Sequence, residues 1–166
     1  MAGIYLHIPF CKQACHYCNF HFSTSMKLKN DFLDALLKEI AIRKDYTGGE
    51  KINTVYFGGG TPSLLSPTEL RTIINQLAKH NNIDSEAEIT LEANPDDINK
   101  GAVSDWVKEG INRLSIGVQS FFEEDLLWMN RAHNASQATA CIQQAQDAGI
   151  SNMSIDLIYG TTALTD

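Results

Sequence analysis

Three cysteines lie close together near the start of the chain, in the segment Cys11-Lys-Gln-Ala-Cys15-His-Tyr-Cys18. Their spacing is C-x3-C-x2-C, and they follow the apolar segment 3–10 directly. A [4Fe–4S] cluster held by protein usually takes four cysteine ligands. Three thiolates on one loop would leave one iron with an open coordination position, which a small molecule can occupy. The spacing therefore favours a [4Fe–4S] site with Cys11, Cys15 and Cys18 as its ligands.

Two other uses of these cysteines remain open at this stage. A zinc site of the Cys3His type could recruit His7, His16 or His21, because zinc is commonly bound by cysteine and histidine together. A disulfide with one free thiol is the second alternative. The first residues lack a signal-peptide pattern, so clustered cysteines indicate metal or redox chemistry rather than structural disulfides. The fourth cysteine, Cys141, falls on an apolar helical face and is expected to pack in the core.

Composition narrows the class of protein. The 166 residues suffice for one domain with a sizeable core. The formal net charge is −7, with 13 Lys and Arg against 20 Asp and Glu. Binding to nucleic acid requires a basic face, so nucleic acid is not expected as a partner. No apolar run approaches the roughly 20 residues of a membrane span. We expect a cytoplasmic protein.

Hydrophobic periodicity alternates between short strands and amphipathic helices, which predicts an α/β fold with a parallel sheet and right-handed crossovers. About five β/α units are present, fewer than the eight of a closed barrel, so we expect a partial (β/α) barrel. The predicted strands are Ile4–Ile8, Thr54–Phe57, Glu88–Glu92, Arg113–Gln119 and Ser154–Leu157. The predicted helices lie near 32–40, 67–77, 99–109, 123–129 and 136–148.

Several of these strands carry polar residues on one face. Parallel strands covered on both faces usually read as continuous apolar runs. The polar faces could belong to a solvent-exposed sheet edge, but we favour a cavity inside a curved, partly closed barrel. Glu92, Gln119 and Asp156 would then point into the end where barrel enzymes hold their sites. The glycine run 58–60 could serve a plain turn, or let backbone approach a ligand without hindrance from Cβ atoms.

The chain resembles radical S-adenosylmethionine (radical SAM) proteins, and within them the oxygen-independent coproporphyrinogen III dehydrogenases and the related haem chaperones of the HemW type. The matching segments, in chain order, are Tyr5-Leu-His-Ile-Pro-Phe-Cys11, the cysteine triplet, Tyr56-Phe-Gly-Gly-Gly-Thr-Pro62, Leu91-Glu-Ala-Asn-Pro95, Leu114-Ser-Ile-Gly-Val-Gln-Ser-Phe121, Asn130-Arg-Ala-His133 and Ile155-Asp-Leu-Ile-Tyr-Gly160. The resemblance implies a [4Fe–4S] cluster whose open iron binds the methionine part of SAM, and one-electron cleavage of SAM to a deoxyadenosyl radical.

The resemblance also implies individual residue roles. Cys11, Cys15 and Cys18 match the cluster ligands, and no residue is assigned a catalytic role. The cofactor-contacting positions are Tyr5 and Tyr17 beside the cluster, Gly59, Gly60 and Thr61 at the methionine end, Glu92 as a SAM-contacting carboxylate, and Gln119, Arg131 and Asp156 at SAM or a second SAM molecule. The implied partners are SAM, haem or a porphyrinogen, an electron donor and a haem-acceptor protein.

Two departures from the dehydrogenases favour the haem chaperones. The dehydrogenases carry a further cysteine two positions after the third ligand, where this chain has Phe20, and they tend to have a longer N-terminal extension. We expect a haem chaperone that binds haem and transfers it to acceptor proteins. The alternatives are a coproporphyrinogen III dehydrogenase and a zinc-stabilised scaffold. The resemblance covers only the N-terminal part of a family member, so residues 1–166 are expected to be a truncated radical SAM core domain.

Overall fold

The computed structural model of the chain describes residues 2–162. In this part of the chain, five strands form one parallel sheet, and each strand lies next to its neighbours in sequence. The strands are β1 (Ala2–Ile8), β2 (Lys51–Gly59), β3 (Asn82–Ala93), β4 (Arg113–Gln119) and β5 (Met153–Leu157). The helices are α1 (Lys29–Ile42), α2 (Pro67–His80), α3 (Lys100–Lys108), α4 (Glu123–Trp128) and α5 (Ala135–Asp147). The predicted α/β fold class is confirmed.

The predicted strands all form, but β3 begins six residues earlier than expected. Its first residues pair with β2 through Lys51–Asn82 and Ile52–Ile83, and the register then shifts so that Thr54 lies opposite Glu88. The segment 82–86 lacks alternation of apolar and polar residues, so periodicity could not reveal it. Backbone pairing with Lys51 and Ile52 of β2 extends β3 there.

The core lies between the outer face of the sheet and the helices. Its strand residues include Phe57, Leu91, Leu114, Ile116 and Val118, and its helix residues include Leu70, Ile73, Leu77, Val103, Trp106, Ala138 and Ala145. Cys141 belongs to the same cluster at 1% exposure, and its thiol donates to the Ala138 carbonyl at 3.2 Å. The predicted packing role of Cys141 is confirmed. None of the helices within residues 2–162 is long and apolar enough to span a membrane.

Because all five strands are parallel, the loops that follow them meet at one edge of the sheet. Short 3-10 turns begin two of these loops, Pro62–Leu64 after β2 and Pro95–Asp97 after β3. Helix α2 then begins with a capping box, in which Ser66 Oγ accepts from the Glu69 backbone N–H and Glu69 accepts from the Ser66 N–H. Glu69 also accepts from Lys29 of α1 at 2.7 Å. The start of α2 therefore fixes the loop after β2.

Replacing the capping hydroxyl should destabilise the domain measurably. We expect Ser66→Ala to lower the free energy of unfolding by about 1 kcal/mol, because one backbone N–H of the first turn loses its acceptor. Denaturant unfolding followed by circular dichroism measures the change. Ser136→Ala is the matched control, since Ser136 is exposed in the first turn of α5 and its side chain makes no hydrogen bond within residues 2–162. Equal midpoints for both variants would contradict the prediction.

Candidate active site

A cavity of about 280 Å³ opens at the carboxyl edge of the sheet. It is bounded by the loop after β1 and by the ends of all five strands. The structure brings every site residue predicted from the sequence to this one cavity: Tyr5, Cys11, Cys15, Tyr17, Cys18, Gly59, Gly60, Thr61, Glu92, Gln119, Arg131 and Asp156. The polar strand faces thus line a cavity, as their alternation predicted.

The cysteine loop (residues 11–18) is shaped by backbone hydrogen bonds. Cys11 N donates to the Ser23 carbonyl at 3.0 Å, and Ser23 N donates to the Pro9 carbonyl at 2.8 Å, which closes the base of the loop. Cys18 N donates to the Cys15 carbonyl at 3.1 Å. Cys11, Cys15 and Cys18 are all free and partly buried. The three thiols therefore face the cavity without being joined to one another.

The thiols are not gathered as ligands of a single ion would be. Sulfurs bound to one zinc lie about 3.8 Å apart, because each lies about 2.3 Å from the ion. Within residues 2–162, no three Cys, His, Asp or Glu side chains form a group that could hold one metal ion. Of the histidines considered for zinc, only His7 lines the cavity. A donor set of three cysteines lining one cavity fits a cluster, in which each sulfur binds a different iron.

The approach of the glycine run to the cysteine loop is very close. A Cβ atom on Gly60 would lie 2.6 Å from the Phe10 carbonyl oxygen and 2.9 Å from Cys11 Sγ. Gly60 N donates to the Ile8 carbonyl at 2.8 Å, and Thr61 N donates to the Phe10 carbonyl at 2.7 Å. Only glycine permits this contact at position 60. The run thus holds the base of the loop where its thiols reach the cavity.

Burial raises the pKa of the Cys11 thiol above its usual value. A hydrogen bond with Thr61 and the charge of Arg131 act in the opposite direction, while the other two thiols add to the increase. A metal centre deprotonates its cysteine ligands through its own charge. A bound metal centre would therefore act against the effect of burial on this thiol.

Glu92 projects from the end of β3 and is held by donors from β2. Its Oε1 accepts from Tyr56 Oη at 2.9 Å, and its Oε2 accepts from the Gly59 backbone N–H at 3.0 Å. Burial is the main cause that raises the pKa of Glu92, and nearby Asp156 adds to it, whereas the two hydrogen bonds lower it. The two hydrogen bonds thus fix the orientation of the carboxylate, but they do not fully offset the cost of burying its negative charge.

Arg131 connects the cysteine loop to the sheet. Its Nη1 donates to Cys15 Sγ at 3.4 Å and to Tyr17 Oη at 3.1 Å. Its Nη2 donates at 2.7 Å both to Asn94 Oδ1 and to the Gly117 carbonyl. Burial raises the pKa of Tyr17 to about 12, although the Arg131 charge opposes this shift, so Tyr17 remains a neutral hydroxyl. The guanidinium bridges one predicted ligand and two strand ends.

The end of β4 has an unusual backbone that directs Gln119 into the cavity. Gln119 has a φ of 65°, in the left-handed region, and the pairing of β4 with β5 shifts register between Gly117 and Gln119. His133 Nε2 hydrogen-bonds the Val118 carbonyl at 2.9 Å, beside the Arg131 bond to Gly117. Burial and the Arg131 charge lower the pKa of His133, which keeps its ring neutral.

Sequence reasoning assigned no cofactor contact to several residues that line the same cavity: His7, which was considered only as a zinc ligand, and Gln13, Phe22, Asn94, Ser115 and Gly117. Some of them could have been found. Ser115 and Gly117 occupy the polar face of β4 that carries Gln119, and Asn94 follows Glu92 at the end of β3. Gln13 carried no signal, because its position depends on contacts with residues more than 100 positions away.

Comparison with known proteins agrees with this geometry. The model of the radical SAM superfamily matches residues 5–166. The heme chaperone HemW of Escherichia coli K12 is 36% identical over 161 residues, which cover 95% of this chain and 42% of that protein. HemW of Bacillus subtilis 168 is 34% identical, with 99% of this chain and 44% of that protein covered. The chain thus spans less than half the length of these relatives.

A solved structure shows the same fold. Coproporphyrinogen III oxidase (HemN) from Escherichia coli, a radical SAM enzyme, superposes with a TM-score of 0.86 at 32% identity. The match covers 95% of this chain and 37% of that structure. The family model, the HemW relatives and the HemN fold agree with one another. This chain belongs to the radical SAM superfamily.

Proposed function

We propose that the chain binds a [4Fe–4S] cluster through Cys11, Cys15 and Cys18 and SAM in the adjoining cavity, as part of a haem chaperone. The observation that carries the proposal is that all twelve predicted cysteine and cofactor positions line one cavity. Membership of the radical SAM superfamily implies both cofactors. When bound, the cluster supplies one electron for cleavage of a carbon–sulfur bond of SAM.

The residues of this chain can orient SAM by charge. Among the described residues that line the cavity, Arg131 is the only arginine or lysine, and it lies on the cysteine side. Glu92 and Asp156 are the carboxylates of the cavity wall. A guanidinium attracts a carboxylate, whereas carboxylates attract an ammonium or sulfonium group. This distribution would direct the carboxylate of SAM towards Arg131 and its cationic groups towards Glu92 and Asp156.

The haem-chaperone assignment rests on the relatives and on Phe20, which lies two positions after the last cysteine of the loop. HemW proteins match 95% or more of this chain at 34–36% identity. Phe20 stands where the dehydrogenases carry a further cysteine, and this residue is 76% exposed. Phe20 and Phe22 line the cavity beside Tyr17. Aromatic side chains at the mouth of a cavity suit a flat apolar ligand such as haem.

The second candidate function is that of a coproporphyrinogen III dehydrogenase. The superposition on HemN with a TM-score of 0.86 is the observation that brings it into consideration. Both functions use the same cluster and SAM site, so the fold alone does not separate them. Measurements of haem binding and of porphyrinogen turnover separate the two functions.

Anaerobic reconstitution should load about four irons per chain, because a cubane contains four. We expect Cys11→Ala, Cys15→Ala and Cys18→Ala each to prevent cluster formation, since the loop supplies three ligands and the loss of one leaves two. Iron analysis and the charge-transfer absorption of the cluster measure the outcome. Cys141→Ala is the control and should retain the iron, because Cys141 is buried in the core. Stoichiometric zinc without iron–sulfur absorption would contradict the assignment.

Glu92→Gln should weaken SAM binding without unfolding the domain. Glutamine can still accept from the Gly59 N–H, and the Tyr56 hydroxyl can rotate to accept from the new amide. Loss of a charge-assisted hydrogen bond to the ligand costs about 1.5–3 kcal/mol, which corresponds to roughly a ten- to hundredfold weaker affinity.

Calorimetric titration of the cluster-loaded protein with SAM measures this change. Glu88→Gln is the matched control, because Glu88 is on the same strand but does not line the cavity. We expect its SAM affinity to equal that of the wild type. Equal affinities in Glu92→Gln and Glu88→Gln would show that Glu92 is not a ligand.

Haem and porphyrinogen assays on the protein that carries this domain test the two functions. We expect haem to bind with a Soret absorption band and to be passed to an apo-acceptor, because the relatives are haem chaperones. Coproporphyrinogen III, supplied anaerobically with SAM and reductant, should remain unchanged by mass spectrometry. Conversion of its propionates to vinyl groups would instead support the dehydrogenase.

A further inference from the structure

Lys12 lies between the first two cysteines of the loop, yet its side chain turns away from them. Its ammonium donates to Asp96 Oδ2 at 2.5 Å and also to Asp97 Oδ1. These carboxylates follow β3 and are 84 and 85 positions away in the sequence. The Lys12 side chain is 37% exposed, whereas Asp96 and Asp97 are only 12% and 10% exposed. The contact is therefore a partly buried ion cluster rather than an exposed surface pair.

A third loop joins this cluster. Ser63 Oγ donates to Asp97 Oδ2 at 2.7 Å, and Ser63 lies in the 3-10 turn directly after the glycine run. Each of the three loops carries predicted site residues close by: Cys11 next to Lys12, Thr61 before Ser63, and Glu92 before Asp96. The Lys12 ammonium thus connects the cysteine loop to the loop after β3, and Asp97 in turn connects that loop to the loop after β2 through Ser63.

The two aspartates need this cation. They are adjacent, mostly buried and of like charge, and like charges repel strongly where water is excluded. Among the described residues, Lys12 is the cation within 4.0 Å of either carboxylate. Asp96 Oδ1 is buried and has no hydrogen-bond partner in the described part of the chain. Removal of the Lys12 charge would leave both carboxylates poorly compensated and would favour their separation from the loop.

We infer that Lys12 is a positioning residue. It holds the cysteine loop, which carries the cluster ligands, in place against the loops beside the SAM-contacting groups. The inference rests on the proposed cluster and SAM site. Cys11 Sγ lies so close to Gly60 that a Cβ atom added at position 60 would be only 2.9 Å from it. A shift of the cysteine loop away from the other two loops would therefore displace a cluster ligand and open the cluster to solvent.

The test measures iron release from the reconstituted protein in the presence of a chelator. We expect Lys12→Met to lose iron roughly tenfold faster than the wild type, which is the size of effect typical of residues that support metal ligands. Lys12→Arg retains the charge and should largely restore slow release. Lys108→Met is the matched control, because Lys108 pairs with Asp105 on the exposed face of α3, remote from the cavity, and should release iron at the wild-type rate.

A spectroscopic measurement separates positioning from a general loss of stability. Binding of SAM to the open iron changes the electron paramagnetic resonance spectrum of the reduced cluster, and we expect Lys12→Met to need a higher SAM concentration for that change. Asp97→Asn, which can still accept from Ser63, should behave like Lys12→Met and serves as the second variant if Lys12→Met does not fold. Wild-type iron release and SAM response in both variants would overturn the inference. A wild-type protein that takes up no cluster would overturn the proposed function, and this inference with it.

Discussion

The site depends on the close approach of the Gly58–Gly60 backbone to the elements on both sides of it. A Cβ atom on Gly58 would lie 2.8 Å from the Tyr5 ring and 3.0 Å from Glu92 Oε1. On the other side, Gly60 leaves no room for a Cβ atom beside Phe10 and Cys11. These distances bring a cysteine loop and a strand-end carboxylate to opposite sides of one backbone segment. A side chain at position 60 would collide with the Phe10 and Ile8 carbonyl oxygens and with Cys11 Sγ, and would therefore push the cysteine loop away from the run.

This arrangement keeps polar groups where packing alone would favour apolar ones. Burial raises the pKa of Glu92, which means that the charged form is destabilised by its surroundings, and the Tyr56 and Gly59 donors offset only part of that effect. Asp156 adds further repulsion from β5. A wall that holds two carboxylates close together is less stable than an apolar wall would be. Such local instability is typical of a surface shaped for a cationic ligand.

Much of this site could be predicted from the sequence, because its main parts are local. The cysteine spacing, the glycine run and the polar residues at strand ends lie on short segments, and a parallel sheet brings all strand ends to one edge. The contacts of Lys12, Gln13 and Asn130 could not be predicted. Gln13 donates to the Asn130 carbonyl and Asn130 donates to the Ala14 carbonyl, across more than 110 positions. Such pairs depend on three-dimensional placement and leave no periodic signal.

Arg131 shows how the two kinds of information combine. The resemblance assigns it to a SAM contact, whereas its guanidinium here already donates to Cys15, Tyr17, Asn94 and the Gly117 carbonyl. A carboxylate ligand would have to share or replace one of these acceptors, and Tyr17 Oη is the acceptor on a partly exposed side chain at the cavity wall. The bonds to Asn94 and Gly117 can persist meanwhile, since both are made by Nη2. Arg131 can therefore stay anchored to the sheet through Nη2 while Nη1, on the side of the cysteine loop, receives an anionic group.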